Sequence, residues 1–331
     1  MALTLKFRPK SFAEVVGQPT VVSILARQVA TKTWKNTYLF CGPHGCGKTT
    51  VARILASEIN NGQGEPIEID AASNNGVDSV RALIADAQQS SIDCDYKVYI
   101  LDEAHQFSRA AWDASLKLIE EPPSNAIFIF CTTNPAKVPD TILSRVQRFD
   151  FKRVPKNIIA DRLEYIMNEE CHSDYERSAL ERIAVRANGH VRDAVQLLEK
   201  CLDVSDTITL DLVETTLGLV KYDFLVDFVM YLCHKDISSC LRELEEVESV
   251  NASMLDVYDD LIDYAIDTAI YSQTKNIDYT NIPGDFKSRV VEGVSFSKML
   301  VERLVEFRKY ANSSNAESFL RTIVIEMCAK E

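Results

Sequence analysis

The densest chemistry in this chain lies in Gly42-Pro43-His44-Gly45-Cys46-Gly47-Lys48-Thr49-Thr50, which has the spacing G-x-x-x-x-G-K-[ST]. Glycines at Gly42 and Gly47 let the backbone curl and aim successive N–H groups at phosphate oxygens, where a side chain would stand in the way. Lys48 supplies a cation for the β- and γ-phosphates, and the Thr49 hydroxyl is a ligand for Mg²⁺. The stretch reads as a nucleotide-binding loop.

Hydrolysis asks for a metal-side carboxylate and a group that activates water. Val98-Tyr99-Ile100-Leu101-Asp102-Glu103 offers both: four apolar residues carry Asp102 to the end of a buried strand, with Glu103 beside it. His105 completes the letters D-E-A-H, and a single histidine there fits a structural role equally well. The turn Thr132-Thr133-Asn134 follows another apolar run. If that strand lies between the loop strand and the carboxylate strand, its polar tip points at the γ-phosphate, with Thr133 as the first sensing residue and Asn134 the second. Arg145 ends a short helix at the domain edge, away from its own loop, where it can neutralise charge on a neighbouring subunit's nucleotide. Such use requires an oligomer. Arg192 opens a later helix and can close over the γ-phosphate in cis.

These residues need a scaffold. Tyr38 to Cys41 reads as a buried strand and Thr49 to Ile59 as a helix whose N-terminus faces the loop. Strands are expected at Pro66–Asp70, Lys97–Leu101, Ala126–Cys131 and Val146–Phe151, alternating with helices at Val77–Gln89, Ser108–Glu121 and Asp140–Ser144. That alternation describes an α/β domain with a parallel sheet covered on both faces. Before it, Pro9 and Pro19 break an arm whose Phe7, Phe12, Val15 and Val16 need cover, and a helix runs from Pro19 towards Thr31. From Pro155 the strands stop. Four helices fill Asn157 to Leu217, and amphipathic helices are expected near Asp223–His234, Ile237–Val247, Met254–Tyr271, Asp285–Val291, Ser295–Tyr310 and Asn315–Cys328. The expected division is 1–153, 154–218 and 219–331.

The 46% apolar and 26% charged composition is that of a globular protein, and no run of 18 apolar residues suggests a membrane span. Met1 to Pro9 lacks the apolar core of a signal peptide, so a cytoplasmic protein is expected. The nine cysteines contain no C-x-x-C pair, which indicates neither zinc nor a disulfide framework. Net charge is −13, unevenly spread: residues 1–153 hold 17 Lys and Arg against 16 Asp and Glu, the remainder 19 against 33. Contact with a phosphate backbone is therefore expected from the first half and protein contacts from the second.

The order and wording of the motifs resemble the AAA+ P-loop ATPases. Phe7-Arg8-Pro9-Lys10-Ser11-Phe12 with Val16-Gly17-Gln18, Glu68-Ile69-Asp70-Ala71-Ala72-Ser73, Leu118-Ile119-Glu120-Glu121-Pro122-Pro123, Ile142-Leu143-Ser144-Arg145 and Val191-Arg192-Asp193-Ala194 look like the clamp-loader ATPase subunits. The resemblance is to the gamma/tau subunits of bacterial DNA polymerase III, and more distantly to the small subunits of replication factor C. It is specific over residues 4 to about 200. It implies a AAA+ domain, a small helical lid and an all-α collar that joins subunits in a pentamer. It also implies ATP and Mg²⁺ as ligands, with a sliding clamp and primer–template DNA as partners. Arg8, Pro9, Val16 and Gly17 would line the adenine and ribose side. Gly45, Cys46 and Thr50 would complete the cradle around Lys48 and Thr49. Asp102 with Thr49 would hold the metal, Glu103 would activate water, Thr133 would be sensor 1, Arg145 the trans-acting finger and Arg192 sensor 2.

Three departures stand out. Asn60-Asn61-Gly62-Gln63-Gly64 spans the place where bacterial relatives insert a four-cysteine zinc module, Ser-Arg-Cys reads Ser144-Arg145-Val146, and Asn74-Asn75-Gly76 occupies a connection that is often basic. Candidates for DNA contact are then Asn74, Asn75, Arg81, Arg109 and Lys117, and for clamp contact Ile92 and Tyr96. The small size and missing zinc module suit a viral replication system with several identical ATPase subunits and one distinct partner; the expected setting is a bacterial or virus-infected bacterial cell, with a nuclear one the alternative. Competing functions are a branch-migration type DNA motor and an ATP-switched subunit that does not hydrolyse.

Overall fold

The computed structural model describes residues 2–89, 93–170, 174–249, 253–290, 293–312 and 314–329. The chain divides into two compact units, Met1–Ile166 with Arg186–Glu199, and Met167–Val185 with Lys200–Glu331.

The first unit is built on strands β1 (Thr37–Cys41), β2 (Ile67–Asp70), β3 (Lys97–Asp102), β4 (Ala126–Thr132) and β5 (Gln147–Asp150). Among the described residues they form one parallel sheet in the order β2-β3-β4-β1-β5. Every residue of β1 and β4 is buried, as expected for central strands covered on both faces. One face packs Leu39, Tyr99, Phe128 and Trp112, with Tyr99 stacked on Phe128 at 5.0 Å between centroids. The other packs Phe40, Ile129 and Leu55. The edge strand β2 is largely exposed.

Helices α1 (Leu3–Lys6), α2 (Pro19–Ala30), α3 (Lys48–Ile59), α4 (Val77–Ala87), α5 (Arg109–Glu120) and α6 (Asp140–Leu143) belong to this unit. Two of them start where the sequence supplies a start: Pro19 stands at the first helical position of α2, and Ser108 Oγ caps α5 by accepting from Ala111 N at 3.2 Å. The arm before α2 is more ordered than its prolines suggest. It holds the one-turn helix α1 and a 3₁₀ turn, Phe12–Glu14. Leu3 is buried, and Phe7 N donates to Leu3 O, so packing closes a turn that local propensity would not hold.

Helices α7 (Lys156–Glu169), α8 (Arg177–Arg186) and α9 (Val191–Leu202) run across the boundaries between the units. The second unit continues with α10 (Leu210–Leu217), α11 (Tyr222–Cys233), α12 (Ile237–Ser249), α13 (Met254–Thr274), α14 (Val294–Arg308) and α15 (Ala316–Cys328). Phe228, Leu261, Tyr264, Leu320 and Ile323 form its centre. The Tyr258 hydroxyl donates to Leu304 O at 2.9 Å, fastening α13 to α14. The helix expected at Asp285–Val291 is instead a 3₁₀ turn over Gly284–Arg289. Its six residues begin at Pro283-Gly284 and are too few to sustain α-helix unaided.

Candidate nucleotide site

β1 delivers the chain to the loop at Gly42, whose φ of +151° suits glycine. A Cβ at Gly42 would lie 2.4 Å from Phe151 O. Gly47, at φ +101°, is the N-cap of α3 and leaves the helix's first N–H groups pointing into the loop. Lys48 is only 6% exposed. Its Nζ donates to Gly42 O at 2.9 Å and Pro43 O at 2.8 Å, which keeps the ammonium inside the curl. The nearby thiols are chemically quiet: burial pushes Cys41 up to about 11 and raises Cys46 and Cys131 as well.

β4 lies between β1 and β3, which is the condition on which the sensing role of the Thr132-Thr133-Asn134 turn depended. Thr49 Oγ1 donates to Asp102 Oδ2 at 2.8 Å. Glu103 follows with φ +48°, ψ +39°, a left-handed conformation that costs a non-glycine residue about 1–3 kcal/mol. Its backbone N–H donates to Asp102 Oδ1 at 3.0 Å, and its Oε2 accepts from Thr133 Oγ1 at 3.0 Å. Asn134 N donates to Thr132 Oγ1 at 3.1 Å, which fixes the turn.

The arm closes the other side. Buried Gln18 donates through Nε2 to Lys152 O at 2.7 Å and Cys46 O at 3.4 Å, and accepts from Lys152 N at 3.2 Å. Gly17, at φ +76°, brings the backbone so near Val154 that a Cβ would sit 2.6 Å from its methyls. Arg162 Nη2 donates to Phe7 O at 2.7 Å. Arg192 N donates to Gly45 O at 3.4 Å, bringing the start of α9 against the loop.

Between these parts is a cavity of about 230 Å³. Arg8, Pro9 and Val16 line it from the arm; Gly45, Cys46, Gly47, Lys48, Thr49 and Thr50 from the loop; Asp102 and Glu103 from the end of β3; and Arg192 from α9. Burial, then the neighbouring Arg53, holds the Arg8 guanidinium below the usual arginine value, while Glu68 and Asp102 pull the other way. The donor set fits a nucleoside triphosphate with Mg²⁺: a glycine-lined cradle, a buried ammonium, and a hydroxyl touching a carboxylate, the oxygen pair a hard cation takes.

Other expected residues lie elsewhere. Arg145 is absent from the cavity wall; its Nε donates to Glu120 Oε1 at 2.7 Å and its Nη1 to Thr141 O at 2.8 Å, half-exposed on the surface. Asn74, Asn75, Arg81, Arg109 and Lys117 are exposed, with Arg81 3.3 Å from Asp78. Tyr96 packs edge-on against Trp34 at 5.5 Å and is half-buried. Ile92 and Cys171 fall outside the described residues. Sequence reasoning gave no site role to Gln18, Arg162 or His44, and left His105 open. Gln18 carried a local signal as a polar residue between Gly17 and Pro19, and His44 and His105 by lying within the loop and D-E-A-H motifs; Arg162 carried none.

Fold and site together define a AAA+ P-loop fold with a candidate nucleotide site: a parallel sheet, a phosphate loop and a carboxylate-ended strand two positions away in the sheet. The family model described as "DNA polymerase III, delta subunit" matches residues 67–155. The DNA polymerase III subunit tau of Bacillus subtilis is 36% identical over 299 residues, 84% of this chain and 53% of its own length. Subunit gamma/tau of Mycoplasma genitalium is 32% identical over 316 residues, 88% and 52% respectively. Subunit tau of Escherichia coli is 37% identical over 243 residues, 67% and 38%. The chain thus spans about half the length of the first two relatives. By these matches the chain is similar over most of its own length to the gamma/tau subunits of bacterial DNA polymerase III. Among solved structures, the Thermotoga maritima RuvB Holliday junction branch migration motor superposes with a TM-score of 0.55 at 21% identity, covering 68% of this chain and 79% of that one, a likeness of fold.

Proposed function

We propose that this chain is an ATPase subunit of a DNA-replication clamp loader, using ATP binding to open a sliding clamp and DNA-triggered hydrolysis to release it on primer–template DNA. The observation that carries the reading is the convergence of Thr49, Asp102 and Glu103 on the loop cavity, with Thr133 hydrogen-bonded to Glu103, in a chain similar over most of its length to a tau subunit. Lys48 would leave its loop carbonyls for the β- and γ-phosphates, and Arg192 would approach the γ-phosphate from the start of α9. Mg²⁺, held by Thr49 and through water by Asp102, would supply charge that neutralises the phosphates. Glu103 would take the proton of the attacking water, with Thr133 and Asn134 beside it.

In this reading Arg145 acts on a neighbour's nucleotide, so the working form is an oligomer, a pentamer of several copies with a distinct subunit. Residues 219–331 serve as its collar, 154–218 as the lid and 1–153 as the nucleotide domain. Exposed Asn74, Asn75, Arg81, Arg109 and Lys117 are the DNA-facing candidates, and Tyr96 lies near the clamp-facing link. The setting is cytoplasmic, and no zinc is required. The test is steady-state ATP turnover of the purified complex with and without primer–template DNA and the cognate clamp, with a four-way junction as control. Stimulation that needs both clamp and primed DNA is expected. Stimulation by the junction without clamp would overturn the reading in favour of a remodelling motor.

A further inference from the structure

Glu103 is held by more than the threonine of the sensing turn. His105, whose side chain is 11% exposed, places Nδ1 3.1 Å from Glu103 Oε2, the oxygen that also accepts from Thr133 Oγ1. The same Nδ1 lies 3.3 Å from Thr132 Oγ1, which accepts from Asn134 N. An Nδ1–H directed at Oε2 has a second acceptor in Thr132, so the end of β3 and the turn after β4 share one hydrogen-bond net. The other carboxylate oxygen has a different outlook. Oε1 is 3.4 Å from Nδ1 of His44, and His44 stands in the phosphate loop between Pro43 and Gly45. One oxygen is therefore anchored within the sheet end and the other is turned toward the loop.

We infer that His105 is a positioning residue: with Thr133 it fastens Oε2 of Glu103, so that Oε1 alone faces the phosphate loop, where the attacking water must be deprotonated. Without the anchor, the carboxylate can rotate about its terminal torsion, which is broad and two-fold for Glu. The left-handed backbone at Glu103 gives that side chain an unusual exit from the strand, and the two donors compensate by defining where it ends. The inference rests on the ATPase reading above and adds a residue to it.

The test pairs kinetics with a signature independent of turnover. In the assembled complex with clamp and primed DNA, His105→Ala is expected to lower kcat roughly 10- to 100-fold, the scale of a catalytic group misplaced by about 1 Å, with KM for ATP unchanged within about twofold. His105→Asn, whose amide N–H can overlay Nδ1, recovers most of the rate. Adding His105→Ala to Glu103→Gln lowers the rate no further, because both changes act through one carboxylate. Losses that add, or a fall in ATP affinity matching the fall in kcat, would overturn the assignment. In the ¹⁵N-histidine-labelled chain, the His105 resonance should report a protonated Nδ1 and shift in Glu103→Ala; an unmoved resonance would also overturn it. If the His105 resonance moves in Glu103→Ala as expected but the wild-type complex shows no turnover, the ATPase reading fails and the contact stands.

Discussion

Glu214 is an acid where a helical unit has little use for one, and replacing it should make stability less sensitive to pH. It is 4% exposed on α10, accepts from Tyr222 N at 2.9 Å, and has Arg182 Nε 3.8 Å away. Desolvation raises its pKa from 4.5 to about 7, outweighing the hydrogen bond from Tyr222 and the attraction of Arg182. Between those two values the folded chain keeps a proton that the unfolded chain has released, so this group's contribution is full below pH 4.5 and lost as pH rises through 7. The displacement corresponds to about 3 kcal/mol once the group is ionised, an order-of-magnitude figure. Glutamine has the shape of the protonated acid and keeps an acceptor for Tyr222. Arg182 keeps Val220 O at 3.0 Å and Asp260 at 3.4 Å. Glu214→Gln should match the wild type near pH 5 and exceed it by about 1–3 kcal/mol at pH 8, read as the difference between urea titrations at matched pH. Taking the difference cancels carboxylates such as Asp86, whose pKa is lowered chiefly by the Tyr99 hydroxyl and which therefore push the opposite way. If the variant is instead the less stable at pH 8, the ionised Glu214–Arg182 pair outweighs desolvation and the reasoning fails.

Three further outcomes concern the site. Lys48→Ala should weaken ATP about 10- to 100-fold, the loss of one charge-assisted contact of about 1.5–3 kcal/mol, and leave adenosine binding unchanged in a fluorescent-nucleotide titration; unaltered ATP affinity would refute the phosphate role. Gly42→Ala meets Phe151 O, whereas Gly47→Ala meets nothing within 4 Å and pays only for its φ of +101°, so the Tm should fall further for Gly42→Ala. Equal losses would mean that strain alone decides. Arg145→Ala gives up a half-exposed pair with Glu120 worth under about 1 kcal/mol. It should leave ATP binding by the isolated chain intact and lower turnover of the assembly by about 10³-fold or more, and surviving turnover there would remove Arg145 from a trans role.

The local parts were legible because each is dictated by neighbours in sequence: glycine spacing fixes the loop, apolar runs fix β1, β3 and β4, and Ser108 and Pro19 fix helix starts. What the sequence could not show is adjacency across the sheet. Thr133 meets Glu103 because β4 separates β1 from β3, an order that strand composition does not encode. His105 was undecidable in part for the same reason: Glu103 is its neighbour in sequence, but Thr132 at the end of β4 reaches it only across the sheet. Glu214 could not be told from the other acids of the second half, because helical periodicity says which face is apolar and not which polar residue is buried. The arm's α1 was missed because four residues have no periodicity to read, and it is the burial of Leu3 that holds them.

The strand order also explains why the arm matters to the chemistry. The phosphate loop hangs on β1 and the carboxylates on β3, and both belong to one sheet with fixed register. The side of the cavity that the arm lines has no strand behind it. It is assembled by Gln18 reaching Cys46 O and Lys152 O, by Arg162 reaching Phe7 O, and by Arg192 N reaching Gly45 O. Residues 3–18, 42–50 and 186–195 therefore close on one cavity through a few hydrogen bonds, each worth about 0.5–1.5 kcal/mol net. A ligand touching all three would add its binding free energy to that closure, about 2.7 kcal/mol at a hundredfold excess over Kd. The hydrogen-bonded side then responds to whether the cavity is filled, while the sheet end keeps the register its strand pairing sets.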